Sequence, residues 1–524
     1  MAPFQYGKDV MRIADAINLA RDAKSGVLSH EVVEKIVQSE KNAALLAEGD
    51  KTVYGINTGF GILAQTKISA ADTSLLQHKI LQSHSAGVGN SIARDLSKLM
   101  LITKLHSLAK GYSGIRLETL KRILWHIEQD VIPLVPEKGS VGASGDLAPL
   151  SHLFLPLIGL GFVSVKNENG GYGVVAADLY LKQMGLAPLS LGPKEGLALI
   201  NGTQFILAHS IIGVSRFHHL LEYADLIAAL SVDALKGSPA PFDKRLHELR
   251  PFAGSQLVAQ RLRLLLKESE IVKSHENCDR VQDPYSLRCV PQVHGASRNA
   301  WLHLKELVEI ELNAVTDNPV LIAHTESISG GNFHGQPLAL PLDYACFAAA
   351  EIGNISDRRS YLLLEGKWGL PTLLMDNIGL NSGFMIPQYT TAALVTENKT
   401  LCFPASADSI PTSLGQEDHV SMGSISARKF NTVLSNLEYI LSIELLLAAQ
   451  ALEFRRPLKS SFILEKVYER VRELVSFAKE DRIFSLDIEN VVQLIRDVDL
   501  LNDINTFSSQ NGVALNEGYS EFFC

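Results

Sequence analysis

The sequence predicts a mainly α protein, a large multi-helix bundle core carrying a small β-hairpin. Apolar residues recur at spacings of three and four along most of the chain, the period of one helix face. The stretch 204–235 is apolar around most of its circumference, as in a helix buried on all sides of a bundle or at a subunit interface. Only 162–175 breaks the helical period: Val163-Ser164-Val165, then Asn169-Gly170-Gly171, then Val174-Val175 reads as a hairpin.

Taken in order, residues 8–50 alternate charge with apolar positions, as in Val32-Val33 and Ile36-Val37, and predict short surface helices. From 75 to 132 the helical spacing continues, interrupted at Gly111 and Gly114. After the hairpin, 197–235, 301–315, 344–364 and 424–451 read as long helices. The remainder, 452–524, is more charged and predicts a partly separate helical region. The tail after Leu500 carries no interpretable motif. We expect an N-terminal region 1–200, a central long-helix bundle 201–451 and a C-terminal region 452–524, forming one integrated catalytic unit. No repeat or Pro/Gly/Ser linker divides the chain.

The 524 residues exceed a usual single domain and suffice for a large core. A hydrophobic share of 46% with 20% charged residues is that of a soluble globular protein. A net charge of −9 with no basic stripe argues against nucleic acid as a partner. Five cysteines (Cys278, Cys289, Cys346, Cys402, Cys524) form no CxxC pair, which fits a reducing cytosol. The N-terminus lacks the apolar core of a signal peptide. Apolar runs such as 154–165 and 205–214 are interrupted before the roughly 20 residues a membrane span needs. We therefore expect a cytoplasmic protein with no membrane partner.

Chemistry concentrates at Ala143-Ser144-Gly145. Without a Cβ, the Gly145 nitrogen approaches the Ala143 carbonyl carbon at little steric cost. Closing that bond, losing water and losing the Ser144 hydroxyl as water would leave an exocyclic methylidene on an imidazolone ring. No ordinary side chain offers such an electrophile, so a chain carrying it is expected to be an enzyme that activates amines. Alone, Ala-Ser-Gly is far more often a turn. Six further motifs accompany it: Tyr54-Gly55-Ile56-Asn57-Thr58-Gly59-Phe60-Gly61, Ser83-His84-Ser85-Ala86-Gly87-Val88-Gly89, Glu195-Gly196-Leu197-Ala198-Leu199-Ile200-Asn201-Gly202-Thr203, Gln282-Asp283-Pro284-Tyr285-Ser286-Leu287-Arg288-Cys289, Gly330-Gly331-Asn332-Phe333-His334 and Gln416-Glu417-Asp418-His419-Val420-Ser421-Met422.

Together these motifs closely resemble the aromatic amino acid ammonia-lyases, over about Tyr6 to Ile495. The resemblance implies an ammonia-lyase/fumarase-like architecture, assembly as a homotetramer, and catalytic pockets that draw on several subunits. It also implies that Ala143, Ser144 and Gly145 form a 4-methylidene-imidazol-5-one autocatalytically (a 2,3-didehydroalanine at Ser144), with no external cofactor.

Removing ammonia from an α-amino acid requires a better leaving group than the amine and a base for the weakly acidic Cβ proton. Covalent attachment of the amine to an electrophile divides one hard step into easier ones. Tyr54 is the candidate base. A phenol with an ordinary pKa near 10 needs its phenolate stabilised, which backbone N–H groups around Gly55, Gly59 and Gly61 could do. The same loop read as a phosphate cradle lacks the GK[ST] of a P-loop and does not fit G-x-G-x-x-G. Arg288 is the candidate carboxylate anchor, since a guanidinium holds a carboxylate by two parallel bonds. By resemblance, Tyr285 is a second catalytic tyrosine, Gln282 belongs to the same substrate-binding segment, Asn201 orients ring and substrate, and Phe333 lines the ring.

For the substrate, an imidazole needs polar partners that a phenyl ring does not, and leaving a buried ring atom unpaired costs about 1–3 kcal/mol. Glu417 can accept from an imidazole N–H or act as a catalytic acid or base near it, and His84 can pair with the ring. Family members acting on tyrosine carry His-Leu at the positions of Ser83 and His84, and those acting on phenylalanine carry Phe-Leu. Ser83-His84 and Gln416-Glu417-Asp418 follow the pattern of members acting on L-histidine, so the expected reaction is its non-oxidative elimination to trans-urocanate and ammonia, the opening step of histidine breakdown. Leu414-Gly415 departs from the Ala-Asn common before that run. A tyrosine or phenylalanine lyase, an aminomutase, and a non-catalytic scaffold of the same descent are the alternatives. A dead scaffold is expected to have lost Ser144 or Tyr54, and both are present. His275-Glu276-Asn277-Cys278 and Asn332-Phe333-His334 scatter possible ligands without a repeated metal spacing, so no metal is expected.

Overall fold

The computed structural model describes residues 2–49, 52–59, 68, 70–276, 280–323 and 326–523. Gly61, Cys278 and Cys524 lie outside them. The chain falls into two compact units. The first gathers 1–212, 305–342 and 404–428, the second 213–304, 343–403 and 429–524.

The first unit holds every described strand pair. Phe4–Gln5 lies parallel to Gly26–Val27, and Val88–Ser91 and Val320–Ala323 pair antiparallel with Pro136–Lys138 and Glu326–Ile328. The predicted hairpin is present as Phe162–Lys166 against Tyr172–Ala176, closed by a bond from Asn167 N–H to Gly171 O of 2.8 Å. Ile132–Pro133 adds a third strand to it.

Helix Arg94–Leu108 is buried from Ser97 onward and packs against Ile13–Ala20 and Leu117–Glu128. Beside it, Ala70–His84, Leu147–Phe154 and Glu195–Ile200 pack against one another. Gly196 permits this closeness, because a Cβ there would stand 2.5 Å from the Gln77 carbonyl oxygen. Three motif-bearing segments are thereby set at helix ends. His84 closes the first helix, Asp146 precedes the second and Asn201 follows the third.

The apolar run 197–235 is not one helix. Asn201, Gly202 and Thr203 separate Glu195–Ile200 from Gln204–Ala234. Gly202 has φ of +119°, and its carbonyl and N–H are both engaged by the 144–146 backbone instead of by a helix.

In the second unit, buried ion pairs join residues 213–234 to 290–304 and 343–364 to 429–453, the parts there of the long helices Gln204–Ala234, Val290–Leu312, Gln336–Leu364 and Gly423–Glu453. Arg298 binds Glu222 at 2.9 Å and Asp225 at 2.6 Å, and Arg261 binds the same two carboxylates at 2.8 and 2.9 Å. Arg359 holds Glu444 through two bonds of 2.6 and 2.9 Å. Against the desolvation penalty, the two arginines hold the Glu222 carboxyl down to about 2. Removing one partner of such a group would leave a buried charge uncompensated. Gly423–Glu453 is long and apolar enough to cross a membrane, yet 78% of its most apolar window is buried within the protein.

Candidate functional site

The Ala143-Ser144-Gly145 loop is bent sharply and held from several sides within the first unit. Ser144 has φ of +52° and Gly145 of +81°, left-handed values that a non-glycine residue adopts only where its surroundings enforce them. Gly145 pairs with Gly202, and a Cβ on Gly145 would meet the Gly202 oxygen at 2.1 Å. The Asp146 N–H donates to that oxygen at 2.7 Å, and the Gly202 N–H donates to the Ser144 carbonyl at 3.3 Å. Upstream, the Met422 N–H donates to Val141 O at 3.0 Å and the Ser424 hydroxyl to Ser140 O at 2.7 Å. This cradle fits a tripeptide that closes on itself, since the bend is made in advance and no side chain obstructs it at Gly145.

Glu417 meets this loop. The Ser144 hydroxyl stands 3.5 Å from Glu417 Oε1, at the outer limit of a hydrogen bond, and the Thr412 hydroxyl donates to Oε2 at 3.0 Å. A backbone bond from Thr412 N–H to Glu417 O of 2.9 Å fixes the turn. Burial lowers the His84 pKa, while its backbone contact at Ile80 and the Glu417 charge act in the opposite direction. Ser83 Oγ lies 3.0 Å from His84 Nδ1.

Asn201 is buried, and its side-chain amide donates to Asn318 O at 3.0 Å. Phe333 is half-buried in the turn before Gln336–Leu364. Tyr54 is half-buried in a turn of the same unit, where the Gly55 N–H donates to the Thr58 hydroxyl at 3.1 Å and the Val53 N–H to Asn57 Oδ1 at 2.8 Å. Of the glycines expected around it, the Gly55 N–H is the one that donates to Thr58, and Gly61 lies outside the described residues.

Gln282, Tyr285 and Arg288 belong to the second unit. Gln282 and Arg288 line a cavity of about 270 Å³ there. Arg288 lies over the Tyr285 ring at 4.6 Å, and its buried Nε has no hydrogen-bond partner among the described residues. Such a donor suits an incoming carboxylate. Tyr285 is 71% exposed.

Two charged groups at the loop were not singled out from the sequence. Asp146 is fully buried, and its Oδ2 accepts the N–H groups of Phe205 and Ile206, each at 3.0 Å, at the start of Gln204–Ala234. Burial raises its carboxyl to about 7, with the two backbone bonds opposing. Lys104 is buried in Arg94–Leu108 and donates to the Asn201 carbonyl. Its one sequence signal is a lone lysine among Leu99, Met100, Leu101, Ile102 and Leu105. Among the described residues, no group of three or more His, Cys, Asp or Glu is arranged to hold a metal.

The profile of the aromatic amino acid lyases matches residues 11–473. Histidine ammonia-lyase of Natranaerobius thermophilus is 46% identical over 480 residues, covering 91% of this chain and 94% of that protein. The crystal structure of histidine ammonia-lyase from Trypanosoma cruzi superposes with a TM-score of 0.88 at 40% identity, covering 97% of this chain and 96% of that one. Tyrosine aminomutase from Streptomyces globisporus gives 0.88 at 34% identity, covering 96% and 98%. With a family profile spanning most of its length and relatives of this identity aligned almost end to end, the chain belongs to the aromatic amino acid lyase family.

Proposed function

We propose that this protein is a histidine ammonia-lyase, eliminating ammonia from L-histidine to give trans-urocanate, the first step of L-histidine degradation. The observation that carries the reading is the meeting of Ser144 with Glu417. The source of a prospective electrophile thus stands beside one of the two side chains suited to an imidazole. Relatives 44–46% identical across at least 89% of the chain and named histidine ammonia-lyase support it.

Ala143, Ser144 and Gly145 are read as the source of a 4-methylidene-imidazol-5-one, which when formed supplies an electrophile for the substrate amine. The protein's own residues do the rest. Tyr54 takes the Cβ proton, the Cα–N bond breaks, and the electron pair left at Cβ closes the double bond as ammonia departs. Glu417 and His84 hold the imidazole, and Asn201 and Phe333 orient substrate and ring. Gln282, Tyr285 and Arg288 are assigned to the same reaction by resemblance, in a family whose pockets draw on several subunits. Arg288 takes the carboxylate. We read the protein as a cytoplasmic homotetramer. Free Cys289, Cys346 and Cys402 and exposed apolar side chains such as Phe403 and Leu380 support that reading.

The likeness to a tyrosine aminomutase favours a second reading, in which an amine is returned at Cβ. Purified protein incubated with L-histidine, L-tyrosine and L-phenylalanine, assayed for ammonia and the unsaturated acid, separates the two. Ammonia from histidine alone is expected. Release from tyrosine or phenylalanine would overturn the roles given to His84 and Glu417, and a β-amino acid product without ammonia would favour the mutase.

A further inference from the structure

Lys104 has no part in the reaction as assigned above, yet it binds the backbone on which the electrophile loop rests. The side chain is 1% exposed, an unusual place for an ammonium, and its donor goes to the Asn201 carbonyl oxygen. Its charged surroundings are Asp317, Lys194 and Asp146. The Asp317 carboxylate is bound by Lys194.

The Asn201 carbonyl and the Gly202 N–H are the two ends of one peptide group. At one end sits the Lys104 ammonium. At the other, the N–H donates to the Ser144 carbonyl oxygen at 3.3 Å. In the ring that Ala143, Ser144 and Gly145 would form, that oxygen is conjugated with the exocyclic carbon. A donor at this oxygen draws electron density from the carbon and makes it more electrophilic. A cation bound to a peptide's oxygen polarises the group and strengthens its N–H as a donor, the cooperativity expected of hydrogen bonds in a low dielectric.

We propose that Lys104 is a positioning residue for the electrophile: its ammonium fixes and polarises the Asn201–Gly202 peptide so that the N–H of that peptide is presented to the Ser144 carbonyl oxygen. This rests on the reading of Ala143-Ser144-Gly145 as the source of the electrophile. Burial lowers the Lys104 pKa to about 7, with Asp317 and Asp146 opposing and Lys194 reinforcing. Packing alone is better served at such a site by an apolar side chain of similar length, which carries no desolvation penalty.

The test uses the full-length protein and Lys104→Met, Lys104→Gln and Lys104→Arg. It reads the intact mass, the absorbance band obtained by subtracting the Ser144→Ala spectrum, and the kcat and KM for L-histidine. The wild type is expected to be lighter than its sequence by two waters. In Lys104→Met the band should move to shorter wavelength and kcat should fall about tenfold with KM little changed, less than the roughly 10²–10³ lost when an oxyanion donor itself is removed. Lys104→Arg, which keeps the cation, should restore band and kcat in part. Lys104→Gln keeps an uncharged donor and carries the same expectation, at smaller amplitude, should the Met variant not fold. An unmoved band with unchanged kcat in a folded Met or Gln variant overturns the proposal. A wild-type protein with no mass deficit overturns instead the assignment of the tripeptide.

Discussion

Replacing Gly145 with alanine tests the cradle directly. At φ of +81° an L side chain is strained, which costs about 1–2 kcal/mol. The new Cβ would stand 2.1 Å from Gly202 O, 2.5 Å from Gly202 C and 3.0 Å from Gly202 Cα. These are backbone atoms with no rotamer to change, so the two segments must part by about 1 Å to reach ordinary contact. Parting stretches the bonds from Asp146 N–H to Gly202 O at 2.7 Å and from Gly202 N–H to Ser144 O at 3.3 Å. Losing both adds about 2 kcal/mol, giving a total near ~3–4 kcal/mol concentrated on the tripeptide. A misplacement of about 1 Å at reacting atoms can lower a rate 10²-fold, so ring closure should become slow or incomplete. Gly142→Ala is the control. It has a similar φ of +79°, but its nearest clash, at 2.1 Å, is with Ser421 Oγ, a side-chain atom able to turn away. The assay is intact mass together with a thermal melt. Gly145→Ala should lack much of the two-water deficit while Gly142→Ala keeps more of it. A full deficit and an unshifted melt in Gly145→Ala would refute the argument that the Gly202 contact shapes the loop.

Ser144→Ala should fold, show no two-water deficit and release no ammonia, and a deficit equal to the wild type would remove Ser144 as the source of the exocyclic carbon. Glu417→Gln keeps the shape but not the charge, and turnover of L-histidine should fall about 10²- to 10⁴-fold with the melt little changed; unaltered kinetics would remove Glu417 from the mechanism. His106 is buried and lowered to about 4 by burial, and its Nδ1 accepts the Gly7 N–H at 3.1 Å, which a protonated ring cannot do. The folded pKa lies below the ordinary ~6.5, so the stability from the neutral ring is complete above pH ~6.5 and is lost as pH falls toward 4, by about 3 kcal/mol there. Urea midpoints at pH 7 and 4.5 should differ less in His106→Gln than in the wild type, and an equal difference would show that this ring does not contribute to acid lability.

What the sequence disclosed follows the range over which each cause acts. Helices such as Gln204–Ala234 and Gly423–Glu453 were legible because their apolar period is local, and the hairpin because its turn chemistry is. The break at Asn201-Gly202-Thr203 was hidden inside an apolar run. Its cause is the approach of Gly145, 57 positions away in the chain. The third strand, Ile132–Pro133, has two residues and no period to read. Ser144 and Tyr54 were candidates from the chemistry of their motifs, but Asn201 and Glu417 only through resemblance, since no periodicity marks a loop residue 273 positions from its partner, as Glu417 is from Ser144. Lys104 and Asp146 escaped for the same reason. A lysine in an apolar helix and an aspartate before one are both ordinary until the bonds across 97 and 59 residues are known.

These long-range contacts also explain how the loop holds a conformation its own residues disfavour. Ser144 carries a left-handed φ without being glycine, a strain of about 1–3 kcal/mol that isolated Ala-Ser-Gly would relieve by relaxing. Here the segment before it is tied to Met422 and Ser424, and the segment after it to Gly202. Asp146 in turn binds the first turn of Gln204–Ala234 through Phe205 and Ile206. Movement on one side is therefore resisted by a buried helix end on the other. The proposed ring closure between Gly145 N and Ala143 C would be an intramolecular reaction whose barrier falls as the ends are held together, and well-oriented cases gain about 7–11 kcal/mol in this way. Folding energy spread over bonds at Val141, Ser140, Gly202 and Asp146 is thus directed onto three residues. For that reason variants at the clamps, and not only at Ser144, should lose the two-water deficit while keeping their helices.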